Sequence, residues 1–386
     1  MAHPDSQPGW QGFASPMREV AKQYLSERPN PLSVTLKKQN NMSPKAQTRL
    51  PLILCLLLFA QCGGSKRDDA TLRFFQRGNI EMKKGNTPEA IRLYTEAIEA
   101  DRDYADAYNN RGVAYIKYGD AEKAAADFDR AIQLAPDYTD AYFNRAQAYE
   151  KAGQLDKSLK DLDRVAGLFK DSSKVFLSRA LVKTQLNDYV NALPDFDRAI
   201  ALDPRSAEAY VNRGVVRYGL RKYVEAENDF NKALQLQPNQ DFALNNVAQL
   251  RIREKKYADA LVLLDKAIQL NPNQPYYRNN RGFVKMQLGQ TEAGGAEVRQ
   301  SLAADAKNGW AHRNLGVYWL LKQNPAEALA SLQQASNLTA NIELLHYYKG
   351  LAHSSLGDNA AACREWKLSA SLGETESAPL LQANCR

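Results

Sequence analysis

The fold is decided by the stretch from Ala107 to Pro136, which reads AYNNRGVAYIKYGDAEKAAADFDRAIQLAP. It holds two apolar runs of helical period, which are separated by Gly119 and followed by the proline. Glycine ends a helix readily because it accepts positive φ, and proline stops a helix because it lacks the backbone N–H. The stretch therefore predicts two helices joined by a tight turn.

The same pattern returns at a fixed interval of thirty-four residues when Thr71 is counted as place 1 of the first repeat. Place 8 is small in every repeat, with Gly78, Gly112, Ala146, Ala180, Gly214, Ala248, Gly282, Gly316 and Gly350. Place 20 is also small, and place 24 is always large and apolar. Small residues let two helices approach closely, and a large side chain fills the space beside them. A strict period of this length indicates a repeat array.

The pattern resembles that of the tetratricopeptide repeat (TPR) family. One repeat carries all of it, in Tyr108, Gly112, Tyr115, Ala124, Phe128, Ala131 and Pro136. The resemblance implies an all-α fold, a right-handed α-solenoid of nine helix-turn-helix repeats. The expected repeats are 71–104, 105–138, 139–172, 173–206, 207–240, 241–274, 275–308, 309–342 and 343–376. Residues 377–386 are expected to form a short C-terminal capping helix.

A base at place 7 and an acid at place 23 vary together. Six repeats hold both, namely Arg111 with Asp127, Arg145 with Asp161, Arg179 with Asp195, Arg213 with Asp229, Arg281 with Glu297, and Lys349 with Glu365. The repeats with Val247 and Leu315 at place 7 lose both the base and the acid. Both places lie eight residues from the turn, so antiparallel helices bring them level. We predict an ion pair that fixes the rotation of the two helices. The alternative is that these arginines bind an acidic ligand.

The residues before the repeats predict export. From Met42 the chain has a short basic region and an apolar run from Leu50 to Ala60, and Cys62 and Gly63 follow. The run is too short to span a bilayer and suits the central region of a signal peptide. A cysteine directly after such a run resembles the bacterial lipoprotein signal, which implies that Cys62 is lipidated. The alternatives are an ordinary signal peptide or a short membrane anchor.

These features divide the N-terminal part of the chain into three segments. Residues 1–41 are expected to be a disordered leader or a mis-called start, 42–61 a lipoprotein-type signal peptide, and 62–70 a linker. The expected location is the bacterial cell envelope, in a membrane through the lipid anchor. Gly63 lacks the acidic side chain that retains some lipoproteins in the inner membrane, so the outer membrane is favoured. The alternative is a soluble intracellular scaffold, if Met1 is the true start.

Two cysteines fall in the C-terminal part of the chain. Cys363 lies on the second helix of the last repeat, and Cys385 lies in the capping segment. An exported protein meets an oxidising compartment, in which a disulfide between them would fasten the cap. Two free thiols are the alternative.

No pattern of residues in the sequence indicates catalysis. The sequence has four histidines, of which His312, His346 and His353 fall at packing places of the repeat. Zinc-protease, phosphate-loop and serine-hydrolase motifs are absent from it. The net charge of +7 comes from interspersed acids and bases, which does not favour nucleic-acid binding. We therefore predict a protein that is not an enzyme and has no metal or cofactor.

The remaining candidate site is the concave groove, which relatives line with the first helix of each repeat. Its places are mixed in the first five repeats and apolar in the last four. The candidate partner groove comprises Phe242, Tyr276, Phe283, Met286, Trp310, Val317, Leu320, Tyr347 and Leu351. An apolar strip that is solvated in the free protein predicts a binding site for a protein or peptide. The alternatives are that these side chains pack on neighbouring repeats, or that the array serves an enzyme on another chain.

Overall fold

The computed structural model describes residues 68–339 and 342–385, and these residues form helices without any strand. The predicted all-α fold of helical hairpins is confirmed. The leader, the signal segment and Cys62 lie outside the described residues. Among the helices that are described, none has the length and apolar character needed to cross a bilayer.

The chain divides into two compact units at the Leu186–Asn187 bond. The N-terminal unit, described from residue 68 to 186, contains seven helices. They are α1 (Asp69–Lys84), α2 (Thr87–Ala100), α3 (Ala105–Tyr118), α4 (Ala121–Leu134), α5 (Thr139–Lys151), α6 (Leu155–Leu168) and α7 (Ser173–Gln185).

The C-terminal unit, described over residues 187–339 and 342–385, continues the same alternation. Its helices are α8 (Tyr189–Leu202), α9 (Ala207–Gly219), α10 (Tyr223–Leu236), α11 (Asp241–Arg253), α12 (Tyr257–Leu270), α13 (Pro275–Gln287), α14 (Thr291–Ala304), α15 (Gly309–Leu321), α16 (Pro325–Leu338), α17 (Leu345–Ser355), α18 (Asn359–Ser371) and α19 (Ala378–Asn384). A short 3₁₀ turn, Thr375–Ser377, precedes the last of them.

The turn between the two helices of each hairpin falls at place 15, and the residue there has a φ in the left-handed region. Five are glycines, as at Gly119, whose φ is 97°. The other four are Asn187, Arg221, Lys255 and Gln323, with φ between 55° and 65°. A left-handed backbone costs a residue with a Cβ about 1 kcal/mol or more. The turn geometry is therefore held by the packing of its two helices and not by glycine alone.

Close packing between the helices of a hairpin follows the predicted small and large places. A Cβ built on Gly112 would lie 2.7 Å from Cε1 of Phe128, and one built on Gly214 would lie 2.6 Å from Cε1 of Phe230. Both phenylalanines are completely buried. The small residue thus sets the distance between the helices, and the large residue fills the contact.

A disulfide fastens the C-terminal helix α19 to the last hairpin. The Sγ atoms of Cys363 and Cys385 are 1.98 Å apart. The structure therefore contains the bonded pair and not two free thiols. The loop that the bond closes spans 22 residues and includes the whole of α19.

Candidate functional site

Within each unit, the first helices of neighbouring hairpins pack against each other. Within the N-terminal unit α3 packs against α5, and within the C-terminal unit α13 packs against α15 and α15 against α17. Among the described residues, the second helices of neighbouring hairpins do not pack on each other to the same extent. The first helices therefore form the concave surface of each unit, and the second helices form the convex surface.

The place-7 bases contact the place-23 acids across their hairpins. Arg111 donates from Nε and Nη2 to the two carboxylate oxygens of Asp127, at 2.8 Å each. The Arg145–Asp161 and Arg213–Asp229 pairs are bidentate as well, and Arg281 contacts Glu297 through Nε at 2.7 Å. The carboxylates of these four pairs are buried. Two parallel hydrogen bonds fix the rotation of one helix against the other.

Two of the six predicted pairs differ from this pattern. Lys349 Nζ lies 3.8 Å from Glu365, whose closer partner is His346 Nδ1 at 2.6 Å. Arg179 and Asp195 belong to different units, and their pairing stays a prediction.

The same arginines also contact the preceding hairpin, which the sequence reasoning missed. Their Nη1 atoms donate to a residue at place 25 of the repeat before, and these contacts are Arg111 with Thr95, Arg145 with Asp129, Arg179 with Asp163, Arg213 with Asp197, and Arg281 with Asp265. Val247 and Leu315 follow repeats that hold Asn231 and Arg299 at place 25. A comparison of the place-25 residue of each repeat with the place-7 residue of the following repeat would have revealed this link. Because these arginines already hold acceptors, they do not favour the alternative of an acidic ligand.

Asparagines form a second ladder along the concave surface. Nδ2 of Asn144 donates to Oδ1 of Asn109 at 3.0 Å, and Asn314 donates in the same way to Asn279 at 2.9 Å. Two further bonds of this kind join Asn110 to Asn79 and Asn280 to Asn245. Each bond joins the first helices of neighbouring repeats, so this ladder is a structural element of the array.

The apolar strip of the last four repeats is covered and not solvated. Six of its nine residues are buried, namely Phe242, Tyr276, Phe283, Met286, Trp310 and Val317. Leu320, Tyr347 and Leu351 are half-buried. The expectation that this strip is exposed in the free protein was therefore wrong for most of its length.

The cover has a physical cause, because the last hairpin reaches back to the turns of earlier hairpins in the same unit. Nη2 of Arg221 donates to the carbonyl oxygen of Leu372 at 2.9 Å. The Arg253 guanidinium pairs with Glu343 at 2.8 Å. Tyr348 packs into the same apolar cluster as Phe283. The concave side of the C-terminal unit is thus covered in part by its own last hairpin, whereas Phe242 and Tyr276 pack with residues of neighbouring repeats, as one of the predicted alternatives holds.

The concave surface of the N-terminal unit carries exposed side chains. Its exposed residues are mainly cationic, with Lys83, Lys117 and Lys151 all at place 13 and Lys174 at place 2. Asp106 is the exposed acid among them. Side chains at one place of successive repeats form a row on the inner helices, which a ligand along the groove would contact in turn.

Two further features concern the chemistry that the described residues can perform. No group of three or more His, Cys, Asp or Glu side chains in the described part of the chain is placed to hold a metal ion. Of the histidines, His312 contacts the carbonyl oxygen of Ala306 at 3.0 Å, and His346 contacts Glu365. The first contact holds the His312 ring against the preceding turn, and the second joins α17 to α18.

Comparison with known proteins agrees with this geometry. A family model described as TPR repeat matches residues 78–119, and models described as tetratricopeptide repeat match residues 105–138, 128–160 and 207–240. No curated protein matches the chain.

Solved structures share the fold of stacked helical hairpins. A tetratricopeptide repeat protein from Parabacteroides merdae is 18% identical, with 64% of this chain and 98% of that chain covered and a TM-score of 0.53. A chain in the crystal structure of the APC/C hetero-tetramer Cut9–Hcn1 is 14% identical, with 83% of this chain and 78% of that chain covered and a TM-score of 0.56. At these identities the likeness shows the fold.

Proposed function

Because the chain is a tetratricopeptide repeat protein, we propose that it is a non-enzymatic scaffold that binds another protein or peptide on the concave face of its repeats. The observation that carries the proposal is the row of exposed lysines on the inner helices of the N-terminal unit, where α1, α3 and α5 hold Lys83, Lys117 and Lys151 at one place. A rigid array that repeats one side-chain position is suited to bind an extended segment. A regulatory array for an enzyme on another chain is a special case of this role.

Site-specific photo-crosslinking in the native cell tests the scaffold role. A photoreactive amino acid at Lys117 or Lys151 should capture the same partner, because both positions face the inner surface. The matched control is Lys160, which is also exposed but lies on the second helix α6. Equal capture from all three positions, or capture from Lys160 alone, would contradict binding on the inner face.

We also propose that the scaffold is held at a bacterial envelope membrane by a lipid on Cys62. Two observations support this tether. The cysteine directly follows the apolar run of the signal-like segment. The Cys363–Cys385 disulfide is of the kind that persists in oxidising compartments, including the bacterial periplasm. The weak preference for the outer membrane rests on Gly63 alone.

Metabolic labelling with an alkyne fatty acid tests the tether. The full chain should incorporate the label and move to the membrane fraction, and Cys62→Ser should lose both properties because the acceptor sulfur is gone. The control is Cys385→Ser, which leaves the signal segment intact. An unlabelled wild-type chain would support the soluble alternative, and label that survives in Cys62→Ser would place the lipid elsewhere.

A further inference from the structure

Arg313 differs from Arg213 and Arg281 of the same unit, because no carboxylate forms a hydrogen bond with its guanidinium. It stands at place 5 on α15, and only 9% of its surface is exposed. Among the described residues no ion pair reaches its guanidinium, whose one hydrogen bond runs from Nη1 to the carbonyl oxygen of Glu343 at 3.5 Å. Its Nε atom is buried without an acceptor. By contrast, Arg213 and Arg281 each contact two carboxylates.

Aromatic rings surround this guanidinium. The centroids of Phe283, Trp310 and Tyr348 lie 5.0, 5.3 and 5.8 Å from its central carbon. Such rings attract a cation electrostatically, but they supply no hydrogen-bond acceptor in the plane of the guanidinium. The planar edge with its N–H donors is thus the part of Arg313 that lacks partners.

Other buried donors on the same surface also lack acceptors. On the first helices of the last four repeats, the buried donors without a partner include Nδ2 of Asn245, Nε2 of Gln249, Nε1 of Trp310 and Nε of Arg313. Two acceptors, Oδ1 of Asn246 and Oδ1 of Asn314, also have no partner. A surface with several unpaired donors around one cation fits a ligand that brings acceptors and negative charge.

A buried guanidinium without a hydrogen-bonded carboxylate is costly, because its desolvation outweighs the more distant attraction of Glu343 and Glu374. Burial lowers the pKa of Arg313. A lowered pKa is the direction expected when the charged form is unfavourable. The group nevertheless stays protonated at neutral pH, because an arginine does not lose its proton in proteins. A ligand that supplies two in-plane oxygens would remove the imbalance.

We infer that Arg313 is the centre of a binding site for a carboxylate group, which the backbone of Glu343 covers in the free protein. The carboxylate would bind along the guanidinium edge, between the rings of Phe283, Trp310 and Tyr348. It would replace the long contact to the Glu343 carbonyl oxygen. The inference goes beyond the scaffold role, because the same chemistry would hold the carboxylate of a partner or of a free organic acid.

The segment at Glu343 and Leu344 is held by contacts that permit the Arg313 site to open. Glu343 is fixed by its ion pair to Arg253, in which both side chains are well exposed, and such pairs contribute little to stability. Leu344 has a φ of 61°, a conformation that is unfavourable for a leucine. Its N–H is held by Glu374 at 2.6 Å. Exchange of the Arg313–Glu343 contact for a ligand carboxylate would therefore break few strong interactions.

The test measures thermal unfolding of the full chain in the presence of two probes, at constant pH and ionic strength, with chloride as the reference anion. One probe is sodium glutarate, and the other is a short peptide with a central Glu, compared with the same peptide carrying Gln. A carboxylate that binds the folded chain should raise the unfolding midpoint. Arg313→Met should weaken that binding at least tenfold, because the charge is lost and the volume is nearly kept. Glu343→Gln should strengthen it, because the cover loses its pair with Arg253.

The outcomes separate the possibilities. A response to glutarate identifies a free organic acid, and a response to the Glu peptide alone identifies a partner's carboxylate; both support the site. Equal responses of wild type and Arg313→Met, or no response beyond chloride in wild type and in Glu343→Gln, would overturn it. So would an Arg313→Met midpoint lowered as far as that of Arg111→Met, because Arg313 would then be a structural cation. Photo-crosslinking at Lys117 and Lys151 does not depend on this result, so the scaffold role can survive its failure.

Discussion

Replacing Arg111 by leucine should lower the free energy of unfolding of the N-terminal unit by about 3 kcal/mol. The substitution leaves the Asp127 carboxylate buried without its two hydrogen bonds of 2.8 Å, and it removes the link to Thr95 of the preceding hairpin. An uncompensated buried charge costs more than the net contribution of an intact pair. Urea unfolding followed by circular dichroism measures the change.

The double variant tests whether the Arg111–Asp127 pair mainly fixes the rotation of the two helices or also makes a large net contribution to stability. Arg111→Leu combined with Asp127→Leu should recover most of the loss, because two apolar side chains can pack where the pair stood. The chain itself provides the precedent, since Val247 and Leu263 occupy the same two places and lie in one apolar cluster. If the two single losses simply add in the double variant, the pairing does not act as a unit.

Substitution of Gly112 by valine should destabilise the same unit by about 2 to 3 kcal/mol. Its first added carbon would already lie 2.7 Å from the ring of Phe128, and the valine methyl groups would extend further into that ring. The ring has no free space to move into because it is fully buried. Either the two helices of the hairpin separate or the phenylalanine leaves its rotamer, and both responses lower the unfolding midpoint.

Gly167→Ala is the matched control. Gly167 also lies in a helix of the N-terminal unit, but a Cβ built on it meets nothing within 4 Å. Alanine has the higher helix propensity, so this variant should be as stable as wild type or more stable by up to about 1 kcal/mol. A loss at Gly167 equal to that at Gly112 would attribute both effects to backbone conformation and not to packing.

The features that depend on a single hairpin could be predicted from the sequence. The turn at place 15 follows from Gly85, Gly119 and their equivalents, and the turns at Arg221 and Lys255 could be placed only because the period located them. The partners of Arg111 and Arg213 followed from covariation among repeats, which substitutes for an alignment. These are local properties, determined by residues within thirty-four positions of one another.

The features that depend on the curvature of several hairpins were not predictable in this way. The contact of Arg221 with Leu372 joins residues 151 positions apart. It arises from the small rotations between successive hairpins, which accumulate along the unit and are not encoded in any single repeat. The same accumulation covers Phe283 and Trp310, so an apolar strip that seemed to be an open groove is an interior surface. It also leaves Arg313 enclosed, although its place in the repeat predicts a solvated side chain.

The absence of a base at Leu315 has a mechanical consequence. No buried ion pair of the ladder joins α15 to the hairpin before it, and the pair that crosses this joint, Lys322 with Glu292, is exposed and weak. Under tension we expect this joint to resist less than the joints that Arg213 and Arg281 bridge. The last two hairpins are held to each other by their shared apolar cluster, and they would separate together only after the exposed contacts of Arg221 with Leu372 and of Arg253 with Glu343 break. The order of rupture is thus set by these two contacts and by the joint beside Arg313.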